Sequence, residues 1–327
     1  MKRKQFWMGF AASLGMLILI FDGKTALEGT QDGLNLCMKT VIPSLFPFFL
    51  LSRLITESFS SISFSILKPL MHICKIPNGA EGILISGFLG GYPVGAQCIA
   101  NAYHSDQLSR EDAERMLGFC NNAGPAFLFG IISQQFPNHS YVWALWIIHM
   151  LSAFSAGIFF RSACSEYVQA QEPASISLTD ALHSSIRIMS TVCGWVIWFR
   201  ILISFLQKWI LWLFPVEVTV FFTGLLELSN GCCELQRIAD IPVRFVICST
   251  LLAFGGLCVT MQTISVTKGL SMIQYFKGKL LQTLFSFLLS LSFVHPKIIP
   301  VPAILVFSLC ILHKIQKKSS IRVLSGV

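Results

Sequence analysis

Between Gly87 and Pro125 the chain reads GFLGGYPVGAQCIANAYHSDQLSREDAERMLGFCNNAGP. Two apolar stretches carry helix-breaking Gly and Pro beside neutral polar side chains, and a short charged helical linker joins them. In lipid no water re-satisfies the backbone groups that such breaks free, so the breaks survive only where protein buries them or where they line a wet cavity. Broken helices near the bilayer midplane are the sequence pattern of a transport site.

That constraint applies because composition puts the chain in a membrane. Of 327 residues, 54% are hydrophobic and 12% charged, with mean hydropathy +0.68, whereas a soluble domain carries about 25% charged residues. Charge-free stretches run Gln5–Phe21, Gly82–Ser105, Met116–Phe160, Phe245–Thr267, Leu280–Pro296 and Ile298–His313. Met116–Phe160 is long enough for two spans, with Pro137-Asn138-His139 as the turn. Adding less clean helices near Thr40–Thr56, Ile186–Phe205 and Val216–Cys232 gives about eight to ten membrane segments of bilayer-spanning length. No stretch reads as a soluble catalytic domain.

The net charge is +8, with much of the excess at the ends: Lys2, Arg3 and Lys4 before the first span, and Lys314, Lys317, Lys318 and Arg322 after the last. The positive-inside rule then puts both termini in the cytoplasm, with an even number of crossings. Terminal and juxtamembrane charge argues against a nucleic-acid partner. The basic start followed by Met8–Phe21 also fits a signal peptide, but no clear small-x-small cleavage site follows and many spans do, so an uncleaved first helix is expected. The 11 cysteines are scattered through apolar segments without a CxxC pair, and the histidines have no ligand-like spacing. Neither a disulfide framework nor a metal site is read from them.

Asp22–Lys39 mixes polar and apolar residues and is expected as an interfacial amphipathic helix. Pro43 and Pro47 kink the helix that follows, and Arg53 near its end is read as an interface anchor or, alternatively, a ligand. Gly87, Gly91 and Gly95 fall four apart, which on one helix face gives two overlapping GxxxG spacings for close backbone approach. Packing accounts for the glycines, but less well for Pro93 and Gln97, with Tyr92 adjacent. Ser109-Arg-Glu-Asp112 resembles a capping box and starts a helix running to Cys120. That helix meets Asn121-Asn122-Ala123-Gly124-Pro125, where proline disfavours helical geometry in the preceding residue. The chain is expected to unwind there and expose carbonyls, amides and two carboxamides, for binding or gating or, alternatively, to glue helices together.

The second half echoes this plan. Val192–Leu206 stands in the place of Val41–Ile55, and Gly224–Gly231 in the place of Gly87–Gly95. Glu234–Asp240 forms the charged linker. Leu252–Val266 takes the place of the Asn-Asn-Ala-Gly-Pro segment, with Gly255-Gly256 as the break and Gln262 as the polar group. Glu227, between leucines and beside Ser229 and Asn230, is either a proton-coupling group or a structural acceptor for backbone amides. The expected division is an N-terminal helix and interfacial segment over 1–39, a first repeat over 40–160 and a polar connection over 161–185. A second repeat over 186–268 and C-terminal helices with a basic tail over 269–327 complete it.

Gly23-Lys24-Thr25 matches the end of a phosphate loop, but the required upstream glycine is missing: position 18 is Ile18. There is no HExxH and no GxSxG. ATP-driven pumping by this chain alone and hydrolytic catalysis are not expected, and neither a cofactor nor a metal is.

The segments SGFLGGYPVGAQ, SREDAERMLGFCNNAGPAF, GLLELSNG and FGGLCVTMQTIS resemble the sporulation integral membrane protein YlbJ family, within the wider nucleoside-recognition or Gate-domain membrane proteins. VIPSLFPFFLLSRLI, KIPNGAEG and His149 also fit, so the resemblance runs roughly from Leu34 to Leu280. It implies an endospore former and passage of dipicolinic acid across the outer forespore membrane, on a scaffold whose paired halves pack in opposite orientations.

The combined expectation is an all-α polytopic membrane protein with two weakly similar repeats of broken or re-entrant helices. It is read as a non-enzymatic permease for a small anionic metabolite, with the lipid bilayer as its other partner. Free N–H groups at half-helix N-termini after Gly91, Gly124 and Gly256 suit a dianion without a buried lysine. The candidate binding or gating residues are Gly91, Tyr92, Pro93, Gln97, Asn121, Asn122, Gly124, Pro125, Glu227, Asn230, Gly256 and Gln262. A nucleoside carrier and a non-transporting scaffold in spore-envelope assembly are the alternatives.

Overall fold

Gly29 and Gly33 lack side chains where helix α2 (Gly23–Leu36) crosses α10 (Leu178–Trp209): a Cβ at Gly33 would stand 2.9 Å from the Ile197 Cα. This is close approach through a small-xxx-small stripe. Arg200 closes the same contact with an ion pair to Asp32 at 2.7 Å. At the helix end Lys208 pairs with Asp22, and that ammonium holds the Asp22 carboxyl below its usual range. Asp22–Lys39 is therefore not a separate interfacial helix. It runs through a π-helical turn, Cys37–Val41, straight into α3 (Ile42–Ser58), and Gly23–Ile55 is one 33-residue span candidate.

The computed structural model describes residues 2–58, 67–160, 177–295 and 297. Among these all regular structure is helical. Four helices are long and apolar enough to cross a membrane: Gly23–Ile55, His139–Phe159, Leu178–Trp209 and Ile241–Val266. Gln5–Phe21, Glu81–Gly90 and Val216–Leu226 are shorter apolar helices. The chain is an integral membrane protein. Helix α1 (Lys2–Phe21) leaves Phe6, Trp7, Met8 and Phe10 uncovered, as a lipid-facing helix does. The expected span Ile298–His313, the basic tail and most of the polar connection lie outside the described residues.

The interior is built from short helices that stop where the sequence breaks them. After α4 (Lys68–Cys74), α5 (Glu81–Ile85) tightens into a π turn, Ser86–Gly90, and the chain reverses through Gly91-Tyr92-Pro93 before α6 (Val94–His104). Gly87, Gly91 and Gly95 thus do not share a helix face. Gly91 takes φ +78° at the tip, and a Cβ at Gly95 on the returning arm would stand 2.7 Å from the Gly87 Cα on the outgoing arm. The two outer glycines seal the two arms against each other and against the Cys120 carbonyl. Ser109 caps α7 (Arg110–Leu117) by accepting the Asp112 N–H at 3.1 Å, and the extended stretch through Gly124 separates α7 from α8 (Pro125–Gly130). Met116–Phe160 consequently holds only one long helix, α9 (His139–Phe159), which starts after Pro137-Asn138 as expected.

Val216–Cys232 likewise is not one helix. Glu227 is extended and splits it into α11 (Val216–Leu226) and α12 (Leu228–Cys233), which fold back so that Gly231 packs on Gly224. Asp240 caps α13 (Ile241–Phe254) through the Val243 N–H at 3.0 Å. Gly255 and Gly256, at φ +83° and +80°, turn the chain into α14 (Gly256–Val266). The last described helix, α15 (Ile273–Val294), packs along α9 and α13. One apolar core gathers Val41, Phe49, Phe88, Ile99 and Met116. A second gathers Phe127, Leu128, Val220, Phe245 and Leu251.

Candidate functional site

The breaks meet at the centre. A Cβ at Gly124 would stand 2.9 Å from the Gly91 nitrogen, so the tip of the first hairpin touches the α7–α8 break backbone to backbone. A Cβ at Gly256 would stand 3.0 Å from the Gly224 carbonyl, joining the α13–α14 break to the second hairpin. Tyr92 ties the two pairs together. Its hydroxyl donates to the Leu252 carbonyl at 3.2 Å, and a Cβ at Gly255 would lie 3.2 Å from that hydroxyl.

Two of the broken ends find a side-chain partner for their freed N–H groups. Asn121 caps α6 from another segment: its Oδ1 accepts the Ala96 N–H at 3.3 Å, and its Nδ2 donates to Thr263 Oγ1 at 2.9 Å. Glu227 caps its own helix. Its carboxylate accepts the Ser229 and Asn230 backbone N–H groups at 3.0 and 2.7 Å and the Asn230 side-chain amide at 2.7 Å. The α8 and α14 starts, behind Gly124 and Gly255, have no side-chain cap. His149, buried on α9, accepts the Ala123 N–H at 3.2 Å through Nε2.

Between these breaks lies a cavity of about 30 Å³, lined by Gly91, Tyr92, Gly124, Glu227, Ser229 and Gln262 among others. That is about the share of one water in the liquid, against about 300–1,000 Å³ for a pocket that holds a drug-sized ligand. As it stands the cavity is too small for such a ligand. Of the sequence candidates, Gly91, Tyr92, Gly124, Glu227 and Gln262 reach the cavity wall. Asn121, Asn122, Asn230 and Gly256 stand behind it and hold the breaks, while Pro93 and Pro125 begin α6 and α8. Gln97 is not brought to the cluster; it sits half-buried on α6, and its Oε1 has no hydrogen-bond partner.

One residue was missed. Lys279 on α15 is 2% exposed, and its ammonium donates to Tyr92 Oη and Gln282 Oε1, each at 2.9 Å. Gln282 passes the contact on, donating to Asn122 Oδ1 at 2.9 Å, and Asn122 donates to the Phe119 carbonyl at 2.7 Å. The expectation of a site without a buried lysine is overturned: a charged group that costs about 2.5–3.5 kcal/mol to insert in lipid is lodged beside the breaks. The signal lay in spacing. Lys279, Gln282, Ser286 and Ser290 recur at helical intervals and form a buried polar stripe along α15.

The sporulation integral membrane protein YlbJ of Bacillus subtilis (strain 168) is 26% identical over 295 residues, covering 76% of this chain and 72% of that protein. The similarity supports membership of the YlbJ family. No protein-family model matches the chain, and no solved structure does.

Proposed function

We propose that this chain is a non-enzymatic membrane permease for a small anionic metabolite, acting in spore formation and passing dipicolinate across the outer forespore membrane. The observation that carries the reading is the convergence of three helix breaks, at Gly91, Gly124 and Glu227, on one small cavity that Val259 and Gln262 of α14 also line. Irregular backbone at membrane depth is tolerated where protein buries it or where it lines a cavity, and here it does both. The order of elements supports a duplicated, Gate-like plan. A long helix, a glycine-sealed hairpin, a broken pair and a long helix occur as α2–α3, α5–α6, α7–α8 and α9. They occur again as α10, α11–α12, α13–α14 and α15. The relative's description as a sporulation membrane protein supports the cellular setting.

In this reading substrate enters between the hairpin tips, and the two halves rock against each other around the cavity. The uncapped start of α14 supplies free N–H groups for a carboxylate. The test is spore dipicolinate content in a strain lacking the protein, with and without dipicolinate added outside. Low content that complementation restores, and that Asn121→Ala fails to restore at matched protein level, supports the permease. Full restoration by Asn121→Ala at matched protein level supports a scaffold instead.

A further inference from the structure

Lys279 is a cation without an anion. Its ammonium is buried against Tyr92 and Gln282, and among the described residues no carboxylate lies within ion-pairing distance. Other buried charges around the breaks are matched. Glu227 takes three N–H donors, and Arg115 pairs with Asp112 at 2.7 Å while donating to the Cys74 carbonyl at 2.9 Å. Lys279 has only two neutral acceptors for three N–H groups. Tyr92 Oη already donates to Leu252, and Gln282 is committed through its amide to Asn122. The ammonium is therefore held in one position by two neutral acceptors and by the face of the Tyr92 ring, 4.9 Å from Nζ, and no carboxylate balances its charge.

A buried ion is costly unless paired and hydrogen-bonded. A Lys held only for packing is replaceable by an apolar side chain of similar length at no loss. Position adds a second argument. Tyr92 is the residue that touches both the cavity and Lys279: its ring lines the cavity, its hydroxyl takes the Lys279 proton donor, and it stands on the hairpin tip that has to move for the cavity to open. Withdrawal of that tip uncovers the ammonium on the cavity side.

We propose that Lys279 is the charge-compensating residue of an anion site, in which a small carboxylate entering past Tyr92 takes the third N–H of the ammonium as its ion-pair partner. The inference rests on the permease reading for the existence of a substrate path, and adds to it the residue that selects for negative charge. Tyr92 and Gln282 are positioning residues that aim the ammonium. Uncharged metabolites of the same size gain nothing from it.

The experiment uses the full chain in detergent, at constant ionic strength, with dipicolinate, picolinate, benzoate, acetate and uncharged uridine as probes. Binding is read by equilibrium dialysis and thermal shift. Without ligand, Lys279→Met is expected to melt close to wild type, because loss of an unpaired buried charge offsets loss of the donor to Gln282 Oε1. At least one carboxylate is expected to bind wild type and to lose about 30-fold or more in affinity with Lys279→Met, as for truncation of a buried charged pair. Lys279→Met binding each carboxylate within about threefold of wild type would overturn the proposal, as would a wild type that binds none of them. Binding of another carboxylate through Lys279, but not of dipicolinate, keeps the site and removes the dipicolinate reading. Should Lys279→Met not accumulate, the unmutated protein serves. Carboxylates, and not uridine, are expected to slow modification of Lys279 by acetic anhydride, read by peptide mass, and equal modification with and without them counts against the site.

Discussion

The Asn121 carboxamide reaches from the α7–α8 break to Thr263 on α14, 2.9 Å away, while its oxygen caps α6 at Ala96. One neutral side chain thus joins the α7–α8 break to the start of α6 and to the body of α14, and all three residues are buried. Asn121→Ala strands the Ala96 N–H and removes a donor from Thr263. A buried polar group left unsatisfied costs about 1–3 kcal/mol. The expected outcome is a melting midpoint several degrees lower in detergent, with Asn121→Ser intermediate. An unchanged midpoint for Asn121→Ala would remove the structural part of its role.

Glu227 is expected to matter first as a cap. Its two oxygens serve three N–H donors at the start of α12, and a glutamine offers one oxygen and turns an amide toward the same donors. Glu227→Gln is therefore expected to destabilise the folded protein by about 1–3 kcal/mol, and Glu227→Ala by at least as much. Thermal melts of both variants check this. If Glu227→Gln melts like wild type yet loses ion-coupled uptake, the carboxyl acts as the proton-coupling group instead.

The glycine pairs that seal the hairpins have no room for side chains. Gly95→Val and Gly231→Val are expected to abolish accumulation of folded protein, because each Cβ would enter the backbone of the opposite arm. Gly194 is the control: nothing lies within 4 Å of a Cβ there, and Gly194→Ala in the middle of α10 is expected to raise stability by about 0.5–1 kcal/mol. Membrane-fraction yield and size-exclusion profiles separate the two classes.

Tyr92→Phe keeps the ring in the cavity wall and removes the hydroxyl shared by Leu252 and Lys279. It leaves the ammonium with Gln282 alone, so it is expected to destabilise by about 1–3 kcal/mol. Combining it with Lys279→Met is expected to cost less than the sum of the two, since contacting residues are non-additive. Additive melts for the pair would argue that the bond at 2.9 Å carries no energy.

The breaks at Gly124-Pro125 and Gly255-Gly256 were legible, because Gly-Pro and Gly-Gly interrupt helices for local reasons that need no tertiary knowledge; the split of Val216–Cys232 at Glu227 was not. Nor was the consequence of the breaks. A four-residue glycine spacing reads as one helix face until it is known that the chain reverses at Gly91. Only the fold shows that Gly87 and Gly95 face each other. The same holds for Asn121, whose break was visible but whose partners, Ala96 and Thr263, lie 25 and 142 residues away. Lys279 escaped notice because a lysine near the start of an apolar stretch resembles an interface anchor. Only its neighbours, supplied by α6's hairpin tip and the α7–α8 break, reveal it as buried.

The central claim, a closed cavity between broken helices that opens to pass a small anion, is tested most directly by uptake of labelled dipicolinate into proteoliposomes holding the purified full chain. The expected result is time-dependent accumulation above protein-free vesicles, saturable by unlabelled dipicolinate, not by uridine, and reduced by Lys279→Met at equal protein incorporation. Uptake no faster than in protein-free vesicles under every ion gradient imposed would contradict the account.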